Sequence, residues 1–219
     1  MARVFIIGGA GQVGQRLSKM LSERGHSVQA LNRSPAKEEL LRQLGAEPVT
    51  RSLTELDVNT LAAHLTGNDV VVFTAGAGGK GGPEMTNTVD GEGLKTAVAA
   101  ALQAGVSRFL LVSAFPEALR GELVSDTFEN YMRVKKMADV TLAESELDWV
   151  ILRPGTLRDA SGTGHVRAGL AIPYGDVSRD DVAATLAEII EQPAITRVII
   201  ELTEGDTQVR EAVQKMAGY

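Results

Sequence analysis

The first fourteen residues contain the feature that most constrains the fold of this chain. A short apolar run at positions 4–7 is followed by Gly8, Gly11 and Gly14, and apolar residues at helical spacing begin at once. In a strand–turn–helix unit, such glycines permit a sharp turn, close approach of the backbone to a diphosphate, and tight helix–strand packing. The N–H groups and dipole of a helix N-terminus favour an anion. The stretch predicts a dinucleotide-binding turn, with a ligand-free strand-to-helix connection as the alternative.

The residues that follow favour the first of these interpretations. Val13, Leu17 and Leu21 recur at helical spacing, and Gly25 then ends the helix as a C-terminal glycine does. An apolar strand at residues 27–31 follows immediately. Together these elements predict the first strand–helix–strand unit of a parallel sheet.

Strand and helix patterns alternate along the whole chain. Regular alternation with strongly apolar strands predicts a parallel sheet covered on both faces, and right-handed crossovers make it doubly wound. We therefore predict an α/β fold with one domain over residues 1–219. Loops are predicted at residues 75–83 and, on the substrate side, at residues 155–177. The other predicted strands are 4–7, 47–50, 69–74, 108–113, 149–153 and 197–202, and the later helices are 35–44, 56–65, 92–104, 128–146, 180–191 and 208–216.

Composition excludes several classes of function. The chain has no cysteine, which excludes disulfides, thiolate metal sites and cysteine nucleophiles. Its net charge is −6 and it has no basic stripe, so we expect no nucleic-acid partner. The N-terminal apolar run is too short for a signal peptide or a membrane span. No His, Asp and Glu residues have metal-ligand spacing. We expect a cytoplasmic protein, monomeric or a small homo-oligomer, that acts on a small molecule.

The residues after the second strand bear on which dinucleotide binds. Folds that prefer NAD place an acidic residue there, about 20 residues past the glycines, to hold the ribose 2′-hydroxyl. This chain has Asn32, Arg33 and Ser34 instead, and its next acidic residue is Glu38. An arginine pairs with a 2′-phosphate and stacks on adenine. The sequence therefore predicts NADP(H), with Arg33 as a solvated surface charge as the alternative.

Three residues are candidates for proton transfer. Tyr131 and Lys135 are four residues apart on the long predicted helix and so share a face. A tyrosine can pass a proton to a carbonyl oxygen, and a neighbouring ammonium stabilises its phenolate form. Ser113 ends the fifth strand, where its hydroxyl can polarise a substrate carbonyl. Alternatively, these residues have only structural roles. Tyr131 would then be half-buried beside a Lys135 whose stem lies along the surface, and Ser113 would bond local backbone.

The chain resembles the short-chain dehydrogenase/reductase superfamily, and more narrowly its atypical, extended-like group with a Gly-x-x-Gly-x-x-Gly motif, often described as NAD(P)-binding or epimerase proteins. The resemblance covers nearly the whole chain and rests on six matching segments taken together. They lie at residues 8–14, 89–93, 105–113, 131–135, 152–155 and 178–183.

This resemblance implies an NAD(P)-binding Rossmann fold with Tyr131 as acid/base, Lys135 as ribose ligand and Ser113 as orienter. The superfamily generally has Asn at a fourth catalytic position, whereas this group has Asp, which matches Asp90 and can hold a water for a proton relay. The Asp-Leu pair that flanks adenine appears as Ser52 and Leu53. The remaining cofactor contacts that we expect are Gly8, Gly11, Gln12, Val13, Gly14, Asn32, Arg33, Thr74, Ala75, Gly76, Pro154, Gly155 and Thr156.

Other polar and aromatic residues have open roles. His165, in the predicted substrate-side loop, is a candidate second acid/base or a plain loop residue. Lys80, in the glycine-rich loop, either reaches phosphate or substrate or is solvated. His64 is predicted to be structural or at the surface. Three aromatic residues either line an apolar pocket or belong to the core: Phe115, Phe128 and Tyr174.

The leading hypothesis is an NADP(H)-dependent oxidoreductase that acts on a small carbonyl, quinone or sugar-like substrate. Hydride would move between nicotinamide and substrate, with Tyr131 passing the proton. The competing hypothesis is a non-catalytic NADP(H)-binding redox sensor, which would need the same glycines and Arg33. A nucleotide-sugar epimerase or dehydratase needs a larger substrate lobe than residues 155–177 offer.

Overall fold

The computed structural model describes residues 1–78, 81–116, 118–119, 122 and 124–218. Lys80 lies outside the described residues. The strands are β1 (Arg3–Ile7), β2 (Ser27–Asn32), β3 (Ala46–Thr50), β4 (Val70–Phe73), β5 (Arg108–Val112), β6 (Asp148–Pro154), β7 (Thr156–Arg158), β8 (His165–Gly169), β9 (Asp176–Ser178), β10 (Val198–Glu204) and β11 (Thr207–Gln208). The helices are α1 (Gln12–Glu23), α2 (Glu38–Gln43), α3 (Val58–Leu65), α4 (Gly82–Thr86), α5 (Gly93–Ala104), α6 (Asp126–Ala143), α7 (Arg179–Glu191) and α8 (Val209–Met216).

Nine strands form one sheet in the order β11-β8-β10-β6-β5-β4-β1-β2-β3. From β10 to β3 every neighbouring pair is parallel, whereas β8 runs antiparallel to both β10 and β11. β7 and β9 form a separate parallel pair. The predicted α/β fold with a mostly parallel, doubly wound sheet is confirmed, and β8 is its antiparallel exception.

The core consists of two apolar layers, one on each face of the sheet. Alternate residues of β1 point to opposite faces, so Val4 and Ile6 join the layer with α1, α7 and α8, while Phe5 and Ile7 join the layer with α3, α5 and α6. All four side chains are fully buried. Strands buried on both faces explain why these segments read as continuous apolar runs.

Two regions differ from the sequence prediction. Residues 155–177 are not a loop throughout, because they contain β7, β8 and β9. These strands are short and β8 buries only Val166 fully, so their apolar pattern is too weak to detect; pairing with β10 and β9 makes them strands. The predicted helix at residues 92–104 begins earlier, at Gly82, and continues through a π-helical turn, Asn87–Glu92. Pro83 is compatible with the first helical turn, although the glycines around it favoured a loop.

Candidate functional site

The glycine turn between β1 and α1 has the geometry of a diphosphate cradle. Gly8 has φ +89°, and a Cβ there would lie 2.6 Å from the Ala75 backbone nitrogen. A Cβ on Gly14 would lie 2.6 Å from the Gly8 carbonyl oxygen. Gly11 precedes the first helical turn, which contains Gln, Val, Gly and Gln and therefore no acidic side chain. An acidic side chain would repel an anion at this helix N-terminus and none is present in its first turn, so the cradle fits a dinucleotide diphosphate.

The loop after β4 closes the other side of the turn. The Thr74 backbone N–H donates to the Ile7 carbonyl oxygen at 2.8 Å, and the Thr74 hydroxyl lies 3.3 Å from the Gly8 carbonyl oxygen. Ala75 lies against Gly8, and a Cβ on Gly76 would come within 3.1 Å of Asp90 Oδ1. The loop after β4 is therefore packed directly on the predicted cofactor turn.

Asp90 lies at the centre of this packing. It is 2% exposed, on the π-helical turn before α5, a feature that often marks functional sites. Its Oδ2 accepts the Ala77 N–H at 2.9 Å, and its Oδ1 lies 3.6 Å from Lys135 Nζ. Asp90 therefore connects the loop after β4 to α6. The sequence resemblance assigns Asp90 to the fourth catalytic position.

Lys135 and Tyr131 lie on α6, which begins at a serine cap, Ser125. Lys135 is 4% exposed, and its Nζ donates to the Val112 carbonyl oxygen at 2.9 Å. Tyr131 is half-buried, and its ring centroid lies 6.2 Å from that of Phe128. The structure thus brings Lys135, Asp90 and the end of β5 together, with Tyr131 one helical turn away.

Ser113 directly follows β5 and is buried. Its hydroxyl oxygen is buried and makes no hydrogen bond of normal geometry with any described residue. Burial raises the pKa of Asp139, and the Ser113 hydroxyl, Arg153 and Lys135 partly offset that rise. The Ser113 hydroxyl therefore lies close to Asp139, whose Oδ2 accepts from Arg153 Nε at 2.9 Å.

Sequence reasoning missed Asp139. It continues the four-residue spacing of Tyr131 and Lys135 along α6, which was a usable signal.

The turn after β2 lies next to the loop after β3. Asn32 is buried, and its Oδ1 accepts the Ser34 N–H at 2.9 Å, which shapes the turn that carries the exposed Arg33. Arg51, also exposed, directly follows β3, and its backbone N–H donates to the Asn32 carbonyl oxygen at 2.9 Å. Two arginines therefore occupy adjacent strand ends, and Arg51 is a second residue that the sequence analysis overlooked.

The other expected cofactor contacts near these strand ends and in α1 differ in their surroundings. The Ser52 hydroxyl bonds the Thr54 hydroxyl at 2.9 Å, and Leu53 packs on the start of α5 at Gly93. Of the residues in α1, Gln12 is exposed and bonds Arg16 through its Oε1, whereas the Val13 side chain is buried in the core. Val13 is therefore able to contact a ligand only through its backbone.

The segment after β6 lies between two other parts of the chain. The Gly155 N–H donates to the Leu202 carbonyl oxygen, and the Thr156 N–H donates to the Gly175 carbonyl oxygen, both at 2.9 Å. The Thr156 hydroxyl also bonds the Tyr174 hydroxyl. Pro154 and Gly155 are buried, and Thr156 is half-buried. This segment therefore joins the cofactor side of the sheet to residues 170–175.

His165, another polar candidate, lies apart from this site. His165 is exposed on β8, which β10 and β6 separate from β5, and its Nδ1 lies 2.9 Å from the Thr163 carbonyl oxygen. His64 lies in the last turn of α3.

Among the residues that the structure describes, no three His, Asp or Glu side chains are arranged to hold a metal ion. In the same residues, no helix has the length and apolar character that a membrane crossing requires.

Comparison with known proteins agrees with this geometry. Residues 8–193 match the NAD(P)H-binding family, and the match begins at the first glycine of the turn. The chain belongs to this family. The NAD(P)H-binding family accounts for the cradle, and the predicted resemblance to atypical short-chain dehydrogenases/reductases is confirmed.

Individual relatives of this NAD(P)H-binding protein cover nearly all of its length. It is 39% identical over 215 residues to a Bacillus subtilis protein described as an uncharacterized sugar epimerase, YhfK, a match that covers 98% of this chain and 100% of the relative. The oxidoreductase YlbE from Lactococcus lactis superposes with a TM-score of 0.87 at 26% identity, over 99% of this chain and 97% of that one. ChuY, an anaerobillin reductase from Escherichia coli O157:H7, gives a TM-score of 0.78 at 26% identity, over 94% and 98% of the two chains.

Proposed function

We propose that this protein is an NADP(H)-dependent oxidoreductase that acts on a small carbonyl, quinone or sugar-like substrate. The observation that carries the proposal is the packing of the glycine cradle, the loop after β4, Asp90 and the Lys135 amine at one edge of the sheet. Open α/β sheets bind ligands at this carboxyl edge. Two similar structures are described as an oxidoreductase and a reductase, which supports the reaction class.

The preference for NADP(H) over NAD(H) rests on the two exposed arginines. Arg33 and Arg51 follow β2 and β3, whose last residues, Asn32 and Thr50, are register partners. Arg33 and Arg51 would hold the 2′-phosphate of NADP(H), because arginine binds phosphate through paired N–H donors. NAD(H) has only a hydroxyl there, and the first acidic residue after β2, Glu38, already accepts hydrogen bonds from Thr50 and Arg42.

Proton transfer falls to Tyr131 in this proposal. When bound, the nicotinamide supplies or accepts the hydride. Tyr131 passes the proton to or from the substrate oxygen. One helical turn further along α6, the Val112 carbonyl and the Asp90 carboxylate hold the Lys135 amine in place. Asp90 thus acts through Lys135 and the loop after β4.

Calorimetric titration with NADPH and NADH tests the cofactor preference. Arg33→Ala and Arg51→Ala should each weaken NADPH binding by about tenfold or more and leave NADH binding unchanged, because a charged hydrogen bond is worth roughly 1.5–3 kcal/mol. Arg167→Ala, an exposed arginine on β8, is the matched control. Tighter binding of NADH than NADPH by the wild-type protein would refute the preference.

Turnover tests the catalytic part. NADPH oxidation with a panel of carbonyl and quinone compounds should fall by about 10²–10⁴-fold in Tyr131→Phe while NADPH affinity is retained. Tyr131→Phe removes only the hydroxyl, so the aromatic packing against Phe128 remains.

One observation favours the second candidate function, a non-catalytic NADP(H) redox sensor. The Ser113 hydroxyl is buried near Asp139, which favours a structural role for this serine over a contact with substrate. If no compound of the panel consumes NADPH and Tyr131→Phe matches the wild type, the sensor hypothesis replaces the enzyme hypothesis.

A further inference from the structure

A run of apolar residues is exposed at the carboxyl edge of the sheet. Residues 170–174 are Leu, Ala, Ile, Pro and Tyr, with no charged residue among them. Leu170 is 48% exposed and Tyr174 36%, and Ala171 and Pro173 are also exposed. A contiguous exposed apolar patch on a folded domain marks an interaction site more often than isolated apolar residues do.

The backbone of this apolar run is fixed. The Ile172 N–H donates to Oε2 of Glu201 at 2.8 Å, and Glu201 is a buried carboxylate on β10. Just after the run, the Gly175 carbonyl oxygen accepts the Thr156 N–H at 2.9 Å. A hydrogen bond to a buried charged group is strong and costly to lose. The run is thus held at both points while the side chains of Leu170, Ala171, Pro173 and Tyr174 remain exposed.

Tyr174 connects the run to the predicted nicotinamide side of the site. Its ring packs edge-on against Phe115, with centroids 5.4 Å apart and an interplanar angle of 63°. Its hydroxyl bonds the hydroxyl of Thr156, which follows β6 and is an expected cofactor contact. Because its hydroxyl is already engaged, Tyr174 offers a ligand mainly the apolar surface of its ring.

We propose that residues 170–174, with Phe115 behind Tyr174, form the specificity surface for a planar, largely apolar carbonyl ring compound of the quinone type. The proposal rests on the proposed function for the position of the nicotinamide. A flat ring gains stacking and apolar burial on this surface. A sugar would place several hydroxyl groups against side chains that cannot hydrogen-bond them, and unpaired polar groups are strongly disfavoured.

Direct binding to the NADP⁺-loaded and cofactor-free protein tests the proposal without turnover. Calorimetry should show that 2-methyl-1,4-naphthoquinone binds more tightly than UDP-glucose. Tyr174→Ala should weaken quinone binding by about tenfold, whereas Tyr174→Phe should retain it within about threefold, because the ring is kept. Leu170→Ser should weaken it by several-fold. Leu102→Ser, an equally exposed leucine on α5, is the matched control and should bind as the wild type does.

Equal quinone affinity in Tyr174→Ala and the wild type would overturn the proposal, as would tighter binding of UDP-glucose. Sedimentation of the same variants identifies another occupant: if Leu170→Ser converts a dimer to a monomer, the run is an interface between two copies. Failure of this inference can be distinguished from failure of the proposed function. Quinone binding through Tyr174 without NADPH oxidation contradicts only the proposed reaction, while quinone reduction that is insensitive to Tyr174→Ala contradicts only this inference.

Discussion

Substitution of Gly14 by alanine should separate the role of the glycine turn in cofactor binding from its role in stability. Gly14 lies in the first turn of α1 and has an ordinary helical backbone, so alanine brings no strain in φ. It would even gain up to about 1 kcal/mol in helix propensity. The opposing effect is steric, because the new Cβ would lie 2.6 Å from the Gly8 carbonyl oxygen and 2.8 Å from Gly9 Cα.

Both of these atoms belong to the backbone, so no side chain can move aside to relieve the contact. Overpacking of this kind typically costs about 1–3 kcal/mol. Subtracting the propensity gain leaves a net destabilisation of about 0–2 kcal/mol, or a fall in Tm of several degrees at most for a domain of this size. Because relief requires α1 to move away from the turn, we expect NADPH affinity to fall by at least about tenfold, which corresponds to 1.4 kcal/mol.

Gly25→Ala is the matched control for this measurement. Gly25 lies beyond the other end of α1, with φ +79° and no heavy atom within 4 Å of the position that a Cβ would occupy. Alanine there should cost about 1–2 kcal/mol of stability through the left-handed backbone alone and leave NADPH affinity unchanged. Urea denaturation and calorimetric titration of both variants give the comparison. NADPH affinity of Gly14→Ala within about twofold of the wild type would refute the reasoning.

Three further predictions concern the core and two carboxylates. Phe109→Ala should lower the free energy of unfolding in urea by about 3–5 kcal/mol, since Phe109 is fully buried in the layer under α5 and α6. The Gly162 N–H, together with Arg16, holds the pKa of Asp180 below its usual range, so its charged form stabilises the fold at neutral pH and that contribution is lost as the pH falls below about 4. Asp180→Asn should therefore show a smaller loss of stability between pH 6 and pH 3 than the wild type, and an equal loss would refute the assignment. Burial raises the pKa of Asp139, so its contribution declines as the pH rises above about 4, and the stability of Asp139→Asn relative to the wild type should increase over that range.

Much of the cofactor side could be predicted from local sequence. The apolar run of β1 and the glycines after it specify strand, turn and helix within a few residues. Burial of the strand, the sharp turn and the close helix packing each depend on the residue type at one position. The main strands and helices follow from periodicity for the same reason. The strands that escaped prediction, β7, β8, β9 and β11, are short and polar, and they become strands only through their partners.

On the substrate side, the local sequence identified residues but not their contacts. Ser113, Tyr131 and Lys135 were identified as separate residues, but their orientations depend on packing between β5 and α6. That packing turns the Ser113 hydroxyl toward Asp139 and ties Lys135 to Val112 and Asp90. None of these contacts joins residues that are neighbours in sequence.

By itself, the sequence determined the fold class, the dinucleotide turn and the arginine after β2, because strand burial, glycine geometry and side-chain charge are properties of residues or of short segments. Only the tertiary structure placed Arg51 beside Arg33, Asp139 beside Ser113, and the exposed apolar run beside Thr156. These pairings depend on which strand ends meet at the carboxyl edge of the sheet and on hydrogen bonds between distant segments. Those are products of the whole chain folding together, and local pattern does not encode them.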